Sequence, residues 1–171
     1  FRTIKQVVFD KTGTLTTGRF EVSDYRLEAD TITVEEFKHI AFSLEKYSNH
    51  PLAKAITNEW KMKDEVRWNK IEEIKGVGMK AVDKDGNEYW AGSYKLAEKL
   101  TEDDNHSIYV LENGQLMGWI DVQDEVRPEA KQVVNYLHSK NIKTILLSGD
   151  RLSKCQQLAK QLGIDEVIAE Q

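Results

Sequence analysis

The chain holds one cysteine, Cys155, and two prolines in 171 residues. A lone cysteine excludes an internal disulfide and suits a reducing compartment. It also argues against a zinc site, which needs several ligands; residues 152–163 around it read as an amphipathic helix, giving Cys155 a packing or surface role. No run approaches the roughly 20 apolar residues that span a bilayer, and no secretory leader pattern is present. A basic excess is missing too. Lys and Arg number 24 against 29 Asp and Glu, a formal net charge of −5, which leaves no electrostatic footprint for nucleic acid. Repeats, low-complexity tracts and Pro/Gly/Ser-rich linkers are absent, and the length allows one large or two small domains with buried cores.

What the chain does have is DKTGTLT at residues 10–16, directly after the strand-like run IKQVVF of residues 4–9. The run reads as a buried strand, so Asp10 falls at the carboxyl end of a parallel strand, the edge where open α/β sheets bind ligands. A carboxylate there can act as a nucleophile and form an aspartyl phosphate. The plainer alternative is that Asp10 caps a turn in which Gly13 supplies a positive φ.

The remaining pattern supplies a frame around this loop. Residues 20–27 alternate as a strand. Thr33 with Glu36 forms a capping box for a helix reaching about Tyr47, with Val34, Phe37, Ile40, Ala41 and Leu44 inward. Pro51 opens a second helix to about Trp60. Strands are expected at 66–75, 78–83 and 88–91, a short helix at 93–100, and a hairpin turning at Asn113 and Gly114 between 107–112 and 115–122. From Pro128 the rhythm becomes helix to about Lys140, strand at 144–147, and a last helix stopping at Gly163. Strand and helix in alternation is doubly wound α/β grammar, and the middle of the chain reads as an α+β insertion into it.

The heptapeptide resembles the phosphorylation signature of P-type ATPases. That resemblance implies an α/β fold: an incomplete haloacid dehalogenase-like, Rossmann-type phosphorylation domain (residues 1–18 and 122–171) carrying an inserted α+β nucleotide-binding domain (19–121). It makes Asp10 the phosphorylated nucleophile, with Lys11 and Thr12 beside it and Mg²⁺ held by Asp10 and Thr12. Related phosphatases place a second Asp at the position of Thr12, and a threonine cannot activate water as a carboxylate does. The phosphoenzyme is therefore expected to persist, as a pump requires.

Further matches extend the resemblance. Ser48 to Pro51, reading SNHP, is similar to the Ser-x-His-Pro element of heavy-metal-transporting members. In that subclass the His contacts adenine, a Glu five residues upstream supports the site, and a Gly-x-Gly admits the nucleotide; the matching positions are His50 with Pro51, Glu45, Gly76 and Gly78, with Gly92 a further glycine of the cleft. Asp124 and Arg127, in DEVRPEA, match the segment re-entering the phosphorylation domain and are expected to position the nucleotide phosphates and ribose. Ser148, Gly149 and Asp150 resemble the Thr-Gly-Asp element that holds the transferred phosphoryl group, with serine keeping the hydroxyl donor.

The family's later Lys and its Mg²⁺-binding Gly-Asp-Gly-x-Asn-Asp stretch do not occur before Gln171, and the chain starts at Phe1 rather than Met. The expectation is a soluble piece of a membrane protein from the cytosolic face, which binds ATP but phosphorylates itself poorly. Its partners would be ATP and the membrane-spanning and actuator domains of the same chain. The implied pump moves a heavy-metal ion, with copper preferred from the 45–51 stretch. Two rivals remain open: a soluble phosphatase of the same fold, and a non-catalytic nucleotide-binding module.

Overall fold

A computed structural model describes residues 3–170; the expectations attached to Phe1 and Gln171 lie outside them. Along the chain run β1 (Gln6–Asp10), β2 (Thr16–Leu27), α1 (Val34–Glu45), α2 (Pro51–Glu59), β3 (Trp68–Ile74), β4 (Gly78–Asp83), β5 (Glu88–Gly92), β6 (Ile108–Glu112), β7 (Gln115–Val126), α3 (Ala130–Ser139), β8 (Lys143–Leu147), α4 (Leu152–Leu162) and β9 (Glu166–Ile168). They form two compact units, Phe1–Arg19 with Asp124–Gln171, and Phe20–Gln123. The chain crosses from one unit to the other inside β2 and inside β7.

In the first unit β1, β8 and β9 form a parallel sheet in that order, with Val8 opposite Ile145 and Asp10 opposite Leu147. Alternation turns Phe9, Leu146 and Val167 to one face, where Val134 of α3 and Cys155, Leu158 and Leu162 of α4 complete a core. Cys155 is buried there as a small apolar group. Val8, Leu147 and Ile168 stand on the other face and are exposed. Both strand ends that matter, Asp10 and Ser148, therefore emerge side by side at the carboxyl edge.

The second unit is built on a six-stranded sheet, β2-β7-β6-β5-β4-β3. Phe37, Ile40, Ala41 and Leu44 of α1 and Ile56 of α2 pack against Met79, Ala91, Val110 and Ile120 of the sheet. The expected capping box is formed, with Glu36 N–H donating to Thr33 Oγ1 at 3.1 Å.

Several boundaries differ from the sequence expectation for identifiable reasons. Helix α1 stops at Glu45 rather than Tyr47, because Lys46 and Tyr47 turn their side chains onto Glu65 and Ser48 N–H closes back on Glu45 O at 3.0 Å. Residues 93–100 form a single 3-10 turn at Tyr94–Leu96 and a following turn, not a helix. The Tyr94 hydroxyl donates to Thr101 O at 2.6 Å and fixes that tighter path. Strands β2 and β7 each run longer than their alternation suggests because each has a neighbour to pair with, and pairing outweighs local propensity. Strand β9 has no strong signal of its own and exists through its pairing with β8. Helix α3 begins at Ala130, after the turn that Ala130 N–H makes to Arg127 O.

One glycine decides how closely α1 approaches the sheet. A Cβ on Gly118 of β7 would stand 2.3 Å from Arg26 O and 2.8 Å from Phe37 Cε1. Backbone on one side and a fully buried ring on the other leave no room to relax. Gly118→Ala is expected to lower the unfolding free energy by about 1–3 kcal/mol, measured by urea denaturation; an unchanged midpoint would refute this packing account.

Candidate functional site

The second unit contains a cavity of about 560 Å³, within the range of small-molecule sites. Its wall comprises the end of α1 (Glu45), the entry to α2 (Ser48, His50, Leu52), the β3 to β4 turn (Glu73 to Met79), the end of β5 (Ala91, Gly92, Ser93) and the start of β6 (Ser107, Ile108). Of the residues singled out from sequence for a nucleotide, Glu45, His50, Gly76, Gly78 and Gly92 all line this one space. Pro51 is the first residue of α2 and positions His50 rather than lining the cavity. Asp124 and Arg127 belong to the other unit and are not in its wall.

His50 does two things with one ring. Its Nδ1 accepts the Leu52 N–H at 3.2 Å and caps α2. With that lone pair committed, the neutral ring carries its proton on Nε2, which is left as a donor. Capping and cavity contact therefore use different edges of the imidazole.

The glycines are there for space. A Cβ on Gly92 would lie 2.0 Å from Val77 O, and one on Gly78, at φ +150°, 2.2 Å from Ala91 O. Any side chain at either position would force β4 and β5 apart. Gly76 turns the chain at φ +77°.

Glu45 is buried at the cavity wall. Loss of hydration, with the nearby charge of Glu73 adding to it, pushes its carboxyl pKa up to about 8. At neutral pH the group holds its proton, so it offers an O–H donor as well as a carbonyl acceptor. Glu73, Lys75 and Ser93, all in the cavity wall, escaped the sequence reading. Adjacency to Gly76 and to Gly92 could have pointed to Lys75 and to Ser93, and no local signal marks Glu73.

At the carboxyl edge of the first unit, residues 11–15 form a wide turn closed by Thr16 N–H donating to Lys11 O, with Gly13 at φ +82°. Asp10 makes no capping hydrogen bond, so the turn-cap alternative has no support. The Asp124 to Arg127 segment staples this loop. Thr16 Oγ1 is 3.0 Å from Asp124 Oδ2, Arg127 N–H donates to Leu15 O at 2.8 Å, and Arg127 Nη2 donates to Gly13 O at 3.1 Å. Thr16 itself is fully buried, a role its sequence position does not announce. Lys11 pairs with Asp150, tying the two strand-end loops together, and Ser148 Oγ accepts the Asp150 N–H at 3.1 Å, with Gly149 between them. Thr12 sits in extended backbone within the loop.

A family model described as haloacid dehalogenase-like hydrolase matches residues 4–171, and the chain belongs to that family. It is 32% identical over 180 residues to the copper-exporting P-type ATPase B of Archaeoglobus fulgidus, covering 98% of this chain and 26% of that protein. It is 35% identical to a copper-exporting P-type ATPase of Staphylococcus haemolyticus (97% and 22% covered) and 33% identical to a zinc-transporting ATPase of Bacillus subtilis (98% and 28%). The chain thus spans about a quarter of the length of these relatives. Among solved structures it matches the catalytic domain of the CPx-ATPase CopB-B, with a TM-score of 0.77 and 28% identity, covering 99% of this chain and 63% of that one. A zinc-transporting PIB-type ATPase in its E2.Pi state gives a TM-score of 0.81 at 26% identity, covering 99% and 29%. The chain therefore matches the catalytic region of copper- and zinc-transporting P-type ATPases, and the mixed α/β fold expected from sequence is the one observed.

The raised pKa of Glu45 has a measurable consequence. An unfolded glutamate loses its proton near 4.5, the folded one near 8, so between these values unfolding releases a proton and stability falls as pH rises. The loss, on the order of a few kcal/mol, is complete above pH 8. Glu45→Gln removes the ionisation, so its melting temperature should exceed that of the parent at pH 9 by more than at pH 5. Parallel pH profiles for the two proteins would count against a protonated Glu45.

Proposed function

We propose that this chain is the ATP-binding and phosphorylation unit of a heavy-metal P-type ATPase, with Asp10 as the phosphorylated residue. The observation that carries the reading is the convergence of Glu45, His50, Gly76, Gly78 and Gly92, from separate elements, on one cavity. A protonated Glu45 suits adenine: its O–H donates to a ring nitrogen while its carbonyl accepts from the exocyclic amine. An ionised carboxylate, acceptor only, would instead suit the two N–H donors of guanine. His50 adds a ring face and its Nε2–H, with Pro51 holding the helix start behind it, and the glycines let the purine and ribose approach the backbone.

In the transfer step an Asp10 carboxylate oxygen attacks the γ-phosphorus of ATP. A new O–P bond forms, the bond from γ-phosphorus to the bridging oxygen breaks, and ADP leaves with that electron pair. The Ser148 hydroxyl and Gly149 amide would hold the transferred group, while Lys11, paired with Asp150, supplies positive charge next to Asp10. Asp124 and Arg127 fix the loop that follows the nucleophile. With Thr12 where a second carboxylate would be needed to activate water, hydrolysis of the acyl phosphate is slow.

Among the described residues no group of three or more His, Cys, Asp or Glu could hold a metal ion. The oxygens of Asp10 and Thr12 suit Mg²⁺ in kind, as this ion often takes one or two protein oxygens together with waters and substrate phosphates. These two residues would hold it, and the ion would neutralise phosphate charge. Among the described residues no helix is long and apolar enough to cross a membrane. In the whole protein this unit would lie on the cytosolic face, working with membrane-spanning and actuator domains of the same chain. The cargo would be a soft transition-metal cation, copper first, since two of the three relatives above are named for copper.

Isothermal titration with ATP and with GTP tests the reading. ATP should bind in the micromolar to millimolar range, about −8 to −4 kcal/mol, and more tightly than GTP. Asparagine is a good helix cap, so His50→Asn keeps the start of α2 while removing the ring, and it should weaken ATP binding by roughly fivefold. Binding indifferent to both the base and His50 would remove the assignment.

A further inference from the structure

The glycine turn of the cavity carries positive charge that no ion pair among the described residues takes up. Lys75 lines the cavity next to Gly76 and is exposed. Lys95, from the turn after β5, brings its Nζ to 4.0 Å from where a Cβ on Gly76 would stand. The ammonium group of Lys95 thus stands beside the glycine that follows Lys75 in the chain. Among the described residues neither has an ion pair, although carboxylates outnumber cations in the chain.

Ser93 supplies an independent mark at the same edge. It also lines the cavity, and its Oγ is buried without a hydrogen-bond partner. Its backbone is held in place, its N–H donating to Val77 O at 2.9 Å. A buried hydroxyl without a partner costs free energy unless a ligand completes it. A hydroxyl donor, two unpaired cations and a turn with no side chain at its apex form a seat for a polyanion. The charge of Glu73, which also disfavours ionisation of Glu45, would repel the same ligand from the part of the wall beside Glu45.

We propose that Lys75, Lys95 and Ser93 form the polyphosphate seat of this cavity, holding the triphosphate of a nucleotide whose base lies toward Glu45 and His50. This rests on the adenine-nucleotide reading above and adds to it the residues that distinguish ATP from adenosine. Ammonium groups act on phosphate as point charges without a fixed geometry. Affinity should therefore rise from adenosine through ADP to ATP and fall with added salt.

The test is isothermal titration of the whole chain with ATP, ADP and adenosine, for the parent, Lys75→Gln/Lys95→Gln, Ser93→Ala and Lys95→Arg. The double variant should lose about tenfold in ATP affinity, less for ADP, and stay within about twofold for adenosine, with a shallower salt dependence. Ser93→Ala should lose a few-fold on ATP, and Lys95→Arg, which keeps the charge, should bind ATP nearly as the parent does. ATP affinity unchanged in the double variant, with the parent binding ATP, overturns the seat and leaves the nucleotide reading intact. Equal losses for ATP and adenosine also overturn it, because the lysines would then only support the cavity wall. A parent that binds neither ligand overturns the nucleotide reading and the seat together.

Discussion

The contact on which the cavity depends is the approach of β4 to β5 at Gly78 and Gly92. There the space a Cβ would need is already filled by Val77 O and Ala91 O, at 2.0 and 2.2 Å. Two strands so close can meet only if both residues lack side chains, and their closeness sets where the wall from Gly76 to Ser93 runs. Ser93 N–H, bonded to Val77 O, fastens the same two segments one step further along. The backbone of this wall, Ser93 included, is therefore fixed without a ligand, which lowers the ordering cost of binding.

A second constraint follows from what that wall encloses. Glu45 ends α1 and is buried beside Glu73, where ionisation is costly. Proteins seldom bury a carboxyl unless it is paired or neutral. This one stays neutral by keeping its proton, so the cavity gains a donor at a site where sequence suggests only an acceptor. Its chemistry is a product of packing, and no inspection of residue type would have supplied it.

How much of this was legible in the sequence varied with the range of the interaction concerned. The turn within DKTGTLT, the Thr33 and Glu36 capping box, Pro51 at a helix start and Gly163 at a helix end are local signals, and the structure follows them. The strand before Asp10, read as buried over residues 4–9, begins at Gln6 and leaves Val8 exposed, because among the described residues helices cover only one face of the parallel sheet. Five of the residues assigned to a nucleotide meet in one cavity, because the resemblance supplied an order and spacing that no single residue carries. The length of β2 and β7, the existence of β9, and the places of Lys95 and Glu73 were not legible. Each depends on a neighbour distant in sequence: β8 for β9, Gly76 for Lys95, Glu45 for Glu73. Residues 93–100 read as a helix yet close as one turn at Tyr94–Leu96 for the same reason, since the Tyr94 bond to Thr101 decides the pitch.

Asp124 and Arg127 show how a residue singled out for one contact can work through another. In this structure their bonds run to Thr16, Leu15 and Gly13, so their direct effect is on the loop that follows Asp10. Thr16 is both the last residue of the heptapeptide and the first of β2, and its burial against Asp124 locks the two chain crossings between units to each other at the point where each enters the first unit. One oxygen of Asp124, Oδ1, is left buried without a partner. That is a cost the fold carries at this junction and nowhere else among its described carboxylates. The loop after Asp10 is thus held from two directions, by three hydrogen bonds to the 124–127 stretch and by the pairing of Lys11 with Asp150, so the conformation at Gly13 is coupled to both segments.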